Sequence, residues 1–295
     1  MPRYDGGPTP PARRSTVNSR GAELAVFEYG PPPSPATPSL LLLHGYPDDH
    51  RVFDGVVKHL EGRHVITYDT RNAGDSRVTD APGSLDSYGL ELLVADVYAV
   101  LDATGTDRVH LAGHDWGSIQ GWAAIQDPRA RERVLSYTSV SGPDLGHFRR
   151  WFTTRLRTPR LWPQAAGQAL RSWYVAGFQV PVLPEAAWKY LLTSRYEKAA
   201  GRSIGDNGVR GLQLYRANMF RAGRSVPSNG YAGPVHVIIP GKDPFLSPKL
   251  ADGLEERFPG VQRSGVDAGH WWPESHSGDF AVMLERWMAA HPGGA

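Results

Sequence analysis

Cysteine is absent from all 295 residues. That excludes disulfides, thiolate nucleophiles and cysteine-based metal sites, and it fits a reducing compartment. Net charge is scarce as well: 32 Lys and Arg meet 30 Asp and Glu, leaving a formal +2. No basic run marks a nucleic-acid footprint. No apolar stretch approaches the length of a membrane span. The opening MPRYDGGPTPPARR is rich in Pro and Gly but lacks the apolar core of a signal peptide. Residues 1–15 are therefore expected to be a flexible tail. A cytoplasmic protein is expected, with neither nucleic acid nor membrane as partner. The 11 histidines are scattered, without an H-E-x-x-H spacing, so neither a metal nor an organic cofactor is expected.

What is present is a globular composition, 40% apolar and 21% charged, arranged in a repeating order. Residues 16–18 and 22–29 predict a hairpin around Ser19-Arg20-Gly21. Leu40-Leu41-Leu42-Leu43 reads as a buried strand, 51–60 as a helix, 64–68 as a strand and 87–103 as a long helix. Strands at 108–112 and 133–140 flank a helix at 118–125. This alternation has the spacing of a parallel doubly wound sheet. Residues 145–230 then show helical spacing with no convincing strand. Alternation resumes with a strand at 235–239, a helix near 248–257, a strand at 261–266 and a helix at 279–290. The expected fold class is α/β, with residues 16–144 and 231–295 as core and 145–230 as an inserted helical cap, a candidate lid.

The most informative segment is Gly113-His114-Asp115-Trp116-Gly117. It lies between a short strand and a helix, which is the context of a G-x-S-x-G nucleophile elbow. The elbow's strained turn projects the central side chain above the sheet. An aspartate there changes the chemistry. Attack by a carboxylate on a carbonyl would give a high-energy anhydride, whereas attack on saturated carbon gives an ordinary ester that water can hydrolyse. Asp115 thus points away from an esterase and toward an epoxide or a carbon–halogen bond. The plainer reading is that Asp115 only caps the following helix.

A carboxylate nucleophile needs a base for the hydrolytic water and a group that orients the base. The strand ending at Ile239 leads into Pro240-Gly241-Lys242-Asp243-Pro244, and the strand near Val266 leads into Asp267-Ala268-Gly269-His270-Trp271. The order nucleophile, acid, histidine assigns Asp243 and His270. Asp144 and Asp267 are the competing acids. The backbone N–H groups of Trp116 and Tyr46, the latter in His44-Gly45-Tyr46-Pro47, are the candidate oxyanion donors.

These segments, with Tyr68-Asp69-Thr70-Arg71-Asn72-Ala73-Gly74-Asp75-Ser76, resemble the epoxide hydrolase branch of the α/β-hydrolase superfamily from about residue 16 to 290. The wording of HGYPDDHRVFD, GHDWGSIQGW and SWYVAGFQVPVLPE is most similar to the hydrolase module of certain bacterial fusion proteins. In those a short-chain dehydrogenase module follows; this chain ends before one. The resemblance implies an α/β-hydrolase fold and two lid tyrosines that donate to the epoxide oxygen. By position before Phe178-Gln179 and within Leu214-Tyr215-Arg216 these are Tyr174 and Tyr215. Trp116, Trp173, Phe178 and Trp271 are expected to contact an apolar small-molecule epoxide, and a homodimer is left open. Asn72 stands where the family usually has Gly, and Asn tolerates left-handed backbone.

The nearest alternative is a haloalkane or haloacid dehalogenase. Against it, Tyr46 replaces the Asn that haloalkane dehalogenases usually carry, and no arginine follows the nucleophile to hold a haloacid carboxylate. A non-catalytic small-molecule binding protein on the same fold is a further alternative.

Overall fold

The structure, a computed structural model, describes residues 12–34, 37–220 and 231–292. Nine strands form one sheet: β1 (Arg13–Ser19), β2 (Ala22–Tyr29), β3 (Ser39–Leu43), β4 (Val65–Tyr68), β5 (Arg77–Val78), β6 (Val109–His114), β7 (Val134–Val140), β8 (Val235–Pro240) and β9 (Gln262–Val266). Their order is β1-β2-β4-β3-β6-β7-β8-β9, with β5 paired to β2. The pairs involving β2 are antiparallel, and β4 through β9 along that path are all parallel.

Both faces of the sheet are covered, which is why β3 can be apolar at every central position. Leu41 and Leu43 pack with Ile66, Leu111 and the helices Leu90–Ala103 and Trp116–Ile125. Leu40 and Leu42 face the other way, onto Val65, Ala112, Val56 and the C-terminal helix Ser277–Ala290. Each such leucine, about 0–1% exposed, contributes roughly 1.5–3 kcal/mol by burial.

Several elements depart from the sequence reading. The expected tail is shorter, because residues 13–15 pair with β2 as the start of β1, while residues 1–11 lie outside the described residues. The helix expected near 248–257 is two 3₁₀ turns, Pro248–Ala251 and Leu254–Glu256. Between them Gly253 takes φ +82°, a left-handed step that interrupts the helical ladder. The short β5 has no counterpart in the sequence reading.

Between β7 and β8, the regular elements within residues 145–218 are all helical, from Leu145–Leu156 to Leu212–Asn218; residues 221–230 of the expected cap lie outside the described residues. No helix among the described residues is long and apolar enough to cross a membrane. Asn72 has φ +61°, the left-handed backbone its side chain tolerates.

The central strands also bury imidazoles. His110, His114 and His236 are each pushed down to about 4, chiefly by burial. An unfolded imidazole takes its proton near 6.5. Between pH 6.5 and 4 the unfolded chain therefore binds more protons at these sites, and stability falls as pH falls. Asp96 and Glu274, raised by burial to about 6 and about 7, act in the opposite sense. A single-site comparison separates the contributions. Replacing His110, which pairs with the Ser136 hydroxyl at 2.8 Å, by Gln should reduce the acid loss by on the order of 1–3 kcal/mol. Urea midpoints at neutral pH and near pH 4.5 measure this. An unchanged pH dependence would show that His110 is already protonated in the fold.

Candidate active site

Parallel strands bring their carboxyl ends to one edge, so the loops after β3, β6, β7, β8 and β9 converge there. Asp115 follows β6 at φ +54°, ψ −119°, a region that costs a non-glycine residue on the order of 1–3 kcal/mol. The turn is locked from both sides. The Asp115 N–H donates to the Val140 carbonyl at 3.0 Å, and its own carbonyl accepts from Ile119 at 3.0 Å. A Cβ on Gly117 would stand 2.0 Å from the Leu43 carbonyl oxygen, and one on Gly45 would stand 2.4 Å from the Asp115 Cβ. Only glycine lets the β3 loop approach the elbow this closely.

That approach places the Tyr46 N–H 2.7 Å from Asp115 Oδ1. The other carboxylate oxygen lies 3.5 Å from His270 Nε2. On the far side of the ring, His270 Nδ1 is 2.8 Å from Asp243 Oδ2. Asp243 Oδ1 accepts from the Phe245 and Leu246 amides at 2.8 and 3.1 Å. Asp115, His270 and Asp243 thus form one continuous line. Burial disfavours charge on the imidazole, but its bonds and charges from Asp115 and Asp243 win and hold it up to about 10. Burial alone would also raise Asp243; its bond to His270 and the imidazolium charge bring it below the usual carboxylate range.

The competing acids are engaged elsewhere. Asp144 caps the helix Leu145–Leu156 through the His147 N–H at 2.6 Å and pairs with Arg257 at 2.8 Å. Asp267 is exposed and pairs with Lys242 at 2.9 Å.

Over Asp115 the helical insert contributes a cluster of rings. Tyr215 meets Trp116, Phe178, Tyr46 and Tyr174 at centroid distances of 5.0, 5.0, 5.3 and 5.9 Å, all edge-to-face. Tyr174 also packs on Phe178 at 5.4 Å. Burial above all pushes both phenols upward, with the Asp115 charge adding to it, so they stay protonated as donors. Tyr46 has its hydroxyl committed to the Gly208 carbonyl at 2.6 Å, leaving its backbone N–H as the group that faces Asp115.

Trp271 lies beside His270 at 4.8 Å, with its indole N–H donated to Asp48 at 3.0 Å. Trp173 is not brought to the cluster. It is 71% exposed on the outside of the insert, because a helical neighbour of Tyr174 lies about 100° round the axis from it. Val180 and Leu183 are also exposed.

Two features escaped the sequence reading. Phe245 presses on both His270, at 4.9 Å, and Tyr174, at 5.4 Å. Asp48 is fully buried and ties the β3 loop to the insert through Tyr196, at 2.6 Å, and Arg202, which also pairs with Glu274 at 3.0 Å. Position after Pro47 in the β3 loop was the available signal for Asp48. Asp49, His50 and Asp69 also lie close together, but their atoms are committed. Asp69 accepts from His50 at 2.7 Å and Asp49 pairs with Arg51, the pattern of a structural network.

Comparison with known proteins identifies the fold family. The α/β hydrolase fold family matches residues 38–277. "Probable oxidoreductase EphD" of Mycobacterium tuberculosis is 32% identical over 289 residues, covering 90% of this chain and 47% of that protein. The chain thus spans about half the length of that relative. "Epoxide hydrolase 4" of Mus musculus is 30% identical over 253 residues, covering 81% and 66%. Among solved structures, an epoxide hydrolase of Bacillus megaterium with an inhibitor superposes with TM-score 0.76 at 22% identity, covering 93% of this chain and all of that one. That likeness is one of fold. The chain belongs to the α/β hydrolase fold family.

Proposed function

We propose that this protein is an epoxide hydrolase that converts an apolar epoxide to a vicinal diol through an ester on Asp115. The observation that carries the reading is the placement of one carboxylate between two unlike sets of partners. His270 and Asp243 stand on one side, and the ring cluster with Tyr174 and Tyr215 on the other. Relatives named epoxide hydrolases support it. The 47% coverage of EphD supports reading the chain as the counterpart of one module of a longer protein.

In the first step an Asp115 oxygen attacks an epoxide carbon, and the C–O bond to that carbon breaks. Tyr174 and Tyr215 donate to the oxygen, one of them giving it a proton as the C–O bond breaks, and solvent restores the proton of that phenol. Such donors act most strongly in a site from which water is excluded. In the second step His270 removes a proton from water, and the hydroxide adds to the Asp115 ester carbon. The Tyr46 and Trp116 amides hold the oxyanion, the ester C–O bond of the intermediate breaks as His270 gives its proton to the departing oxygen, and the diol leaves with the Asp115 carboxyl losing its proton to solvent. The helical insert serves as the lid that keeps both steps dry.

The tyrosine assignment makes a separable forecast. Tyr174→Phe and Tyr215→Phe should each slow ester formation about 10²-fold, the usual loss for one oxyanion donor, while leaving ester hydrolysis unaffected. Stopped-flow single turnovers resolve the two rates. A loss confined to hydrolysis would remove the tyrosines from this role.

Halide displacement is the second reading. It is favoured by the buried Trp116 indole N–H, which has no acceptor among the described residues. A panel of aryl, alkyl and fatty epoxides beside haloalkanes and fluoroacetate decides between them. Diol formation supports the proposal, halide release without diol supports the second reading, and binding without either product leaves a small-molecule binding protein.

A further inference from the structure

The formal +2 of the whole chain conceals a strong internal asymmetry. Residues 145–220 carry twelve Lys and Arg against three Asp and Glu, a formal +9, so the remainder carries −7. The three acids are already occupied. Glu185 pairs with Arg216 at 2.6 Å, Asp206 with Arg210 at 2.8 Å, and Glu197 accepts from Ser203 and the Ile204 amide. Arg157, Arg160, Lys189 and Arg195 are exposed, with no carboxylate partner among the described residues.

The same insert holds all but one of the exposed large apolar side chains among the described residues; Val282 is the exception. Their spacing is ordered. Trp162 and Leu170, eight apart on the helix Trp162–Arg171, are 56% and 75% exposed and share its outward side. Trp173 follows at 71%. Beyond the turn, Leu183, Tyr190 and Leu191 recur at helical intervals, all more than half exposed, with Lys189 against the Tyr190 ring at 5.3 Å. At the tip Val182 is 72% exposed at φ +70°, a conformation that β-branched residues rarely adopt. Arg216 holds this tip by binding the Phe178 and Val180 carbonyls at 2.8 and 3.0 Å.

We propose that this outer face of the insert docks on an anionic lipid bilayer. Apolar and aromatic side chains interleaved with unpaired cations are the composition of a surface that lies in a membrane interface. Each basic side chain near an anionic headgroup layer adds attraction that salt screens. No spanning helix is required. A second copy of the chain is a poorer occupant, because a two-fold contact would set this face against itself and bring like charges together. The geometry gives the docking a use. Val180 is two residues from Phe178, whose ring touches both Tyr174 and Tyr215. Seating the tip in the interface would bring the rim of the ring cluster to the phase where apolar molecules collect. The docking itself does not depend on which reaction Asp115 performs.

Co-sedimentation of the full chain with two vesicle preparations tests this. One is phosphatidylcholine alone, the other an equal mixture of phosphatidylcholine and phosphatidylglycerol. Binding is expected only to the mixed vesicles and should weaken as salt rises. The double variant Lys189→Glu, Arg195→Glu should bind about a hundredfold more weakly. The double variant Val182→Asp, Leu183→Asp should lose binding while keeping the native circular dichroism. Tryptophan emission should shift to the blue on binding, by less in Trp173→Phe. Asp115→Ala should bind as the wild type does, which keeps this test apart from the reaction. Failure to bind the mixed vesicles would overturn the proposal. So would binding untouched by either double variant, or a dimer dissolved by Val182→Asp, Leu183→Asp without any vesicle binding.

Discussion

Asp115→Ala is expected to lose turnover by about four orders of magnitude or more, the scale on which removing a covalent nucleophile acts. The size of the effect follows from the absence of a substitute. His114 precedes Asp115, but burial and the nearby His270 charge hold it neutral, and its Nε2 faces the His270 carbonyl at 2.9 Å. Asp48 is a neighbouring buried carboxylate, but it is bound by Tyr196, Trp271 and Arg202. Water activated by His270 alone would have to open the epoxide without the ester that divides the reaction into two smaller barriers. The fold should survive, since the elbow is held by the Val140 and Ile119 backbone bonds rather than by the side chain. Initial rates of diol formation, with circular dichroism as the control for folding, measure the outcome. Wild-type rates in this variant would leave Asp115 with no role beyond its turn.

Why that residue was legible in one sequence, and Trp173 was not, has a physical basis. The elbow depends on a close approach within five residues, so its first glycine is written locally: a Cβ on Gly113 would stand 2.4 Å from the Gly117 carbonyl oxygen. The buried strands were legible because β3 is covered on both faces and is apolar from Leu40 to Leu43. The edge strand β1 is different. Its burial is mostly exposed with only Val17 and Ser19 covered, so Arg13 and Arg14 carry no apolar signal and read as tail. The insert is harder still. Tyr174 and Trp173 are both aromatic and adjacent, and composition does not say which side of the helix meets Asp115. That depends on how the insert sits on the core, and Asp48 fixes this through Tyr196 and Arg202, 148 and 154 residues away. Phe245 lies in a loop with no periodicity to read. A summed net charge likewise erases where the charges sit.

The same geometry that holds His270 protonated also determines when it can act as a base. With Asp115 and Asp243 both ionised, the imidazole is held up to about 10, so at neutral pH it carries its proton and stabilises the carboxylate pair. In the proposed reaction, forming the ester would neutralise Asp115. One of the two carboxylates that oppose desolvation is then gone, and the burial that disfavours charge gains weight. The imidazole would thereby move toward the range in which it can accept a proton from water, and only after the substrate is attached. His270→Gln should therefore spare the first step and stall the second. Ester formation needs Asp115 and the two phenols, all of which remain. Hydrolysis loses its general base, worth about 10²–10⁴-fold. Intact-protein mass spectrometry after mixing this variant with an epoxide should show a stoichiometric adduct equal to the full mass of the epoxide, since addition expels nothing. Peptide mapping should place it on Asp115, and Asp115→Ala, His270→Gln should show none. If His270→Gln consumes epoxide through many turnovers with no adduct at any time, water attacks the substrate directly and the two-step scheme is wrong.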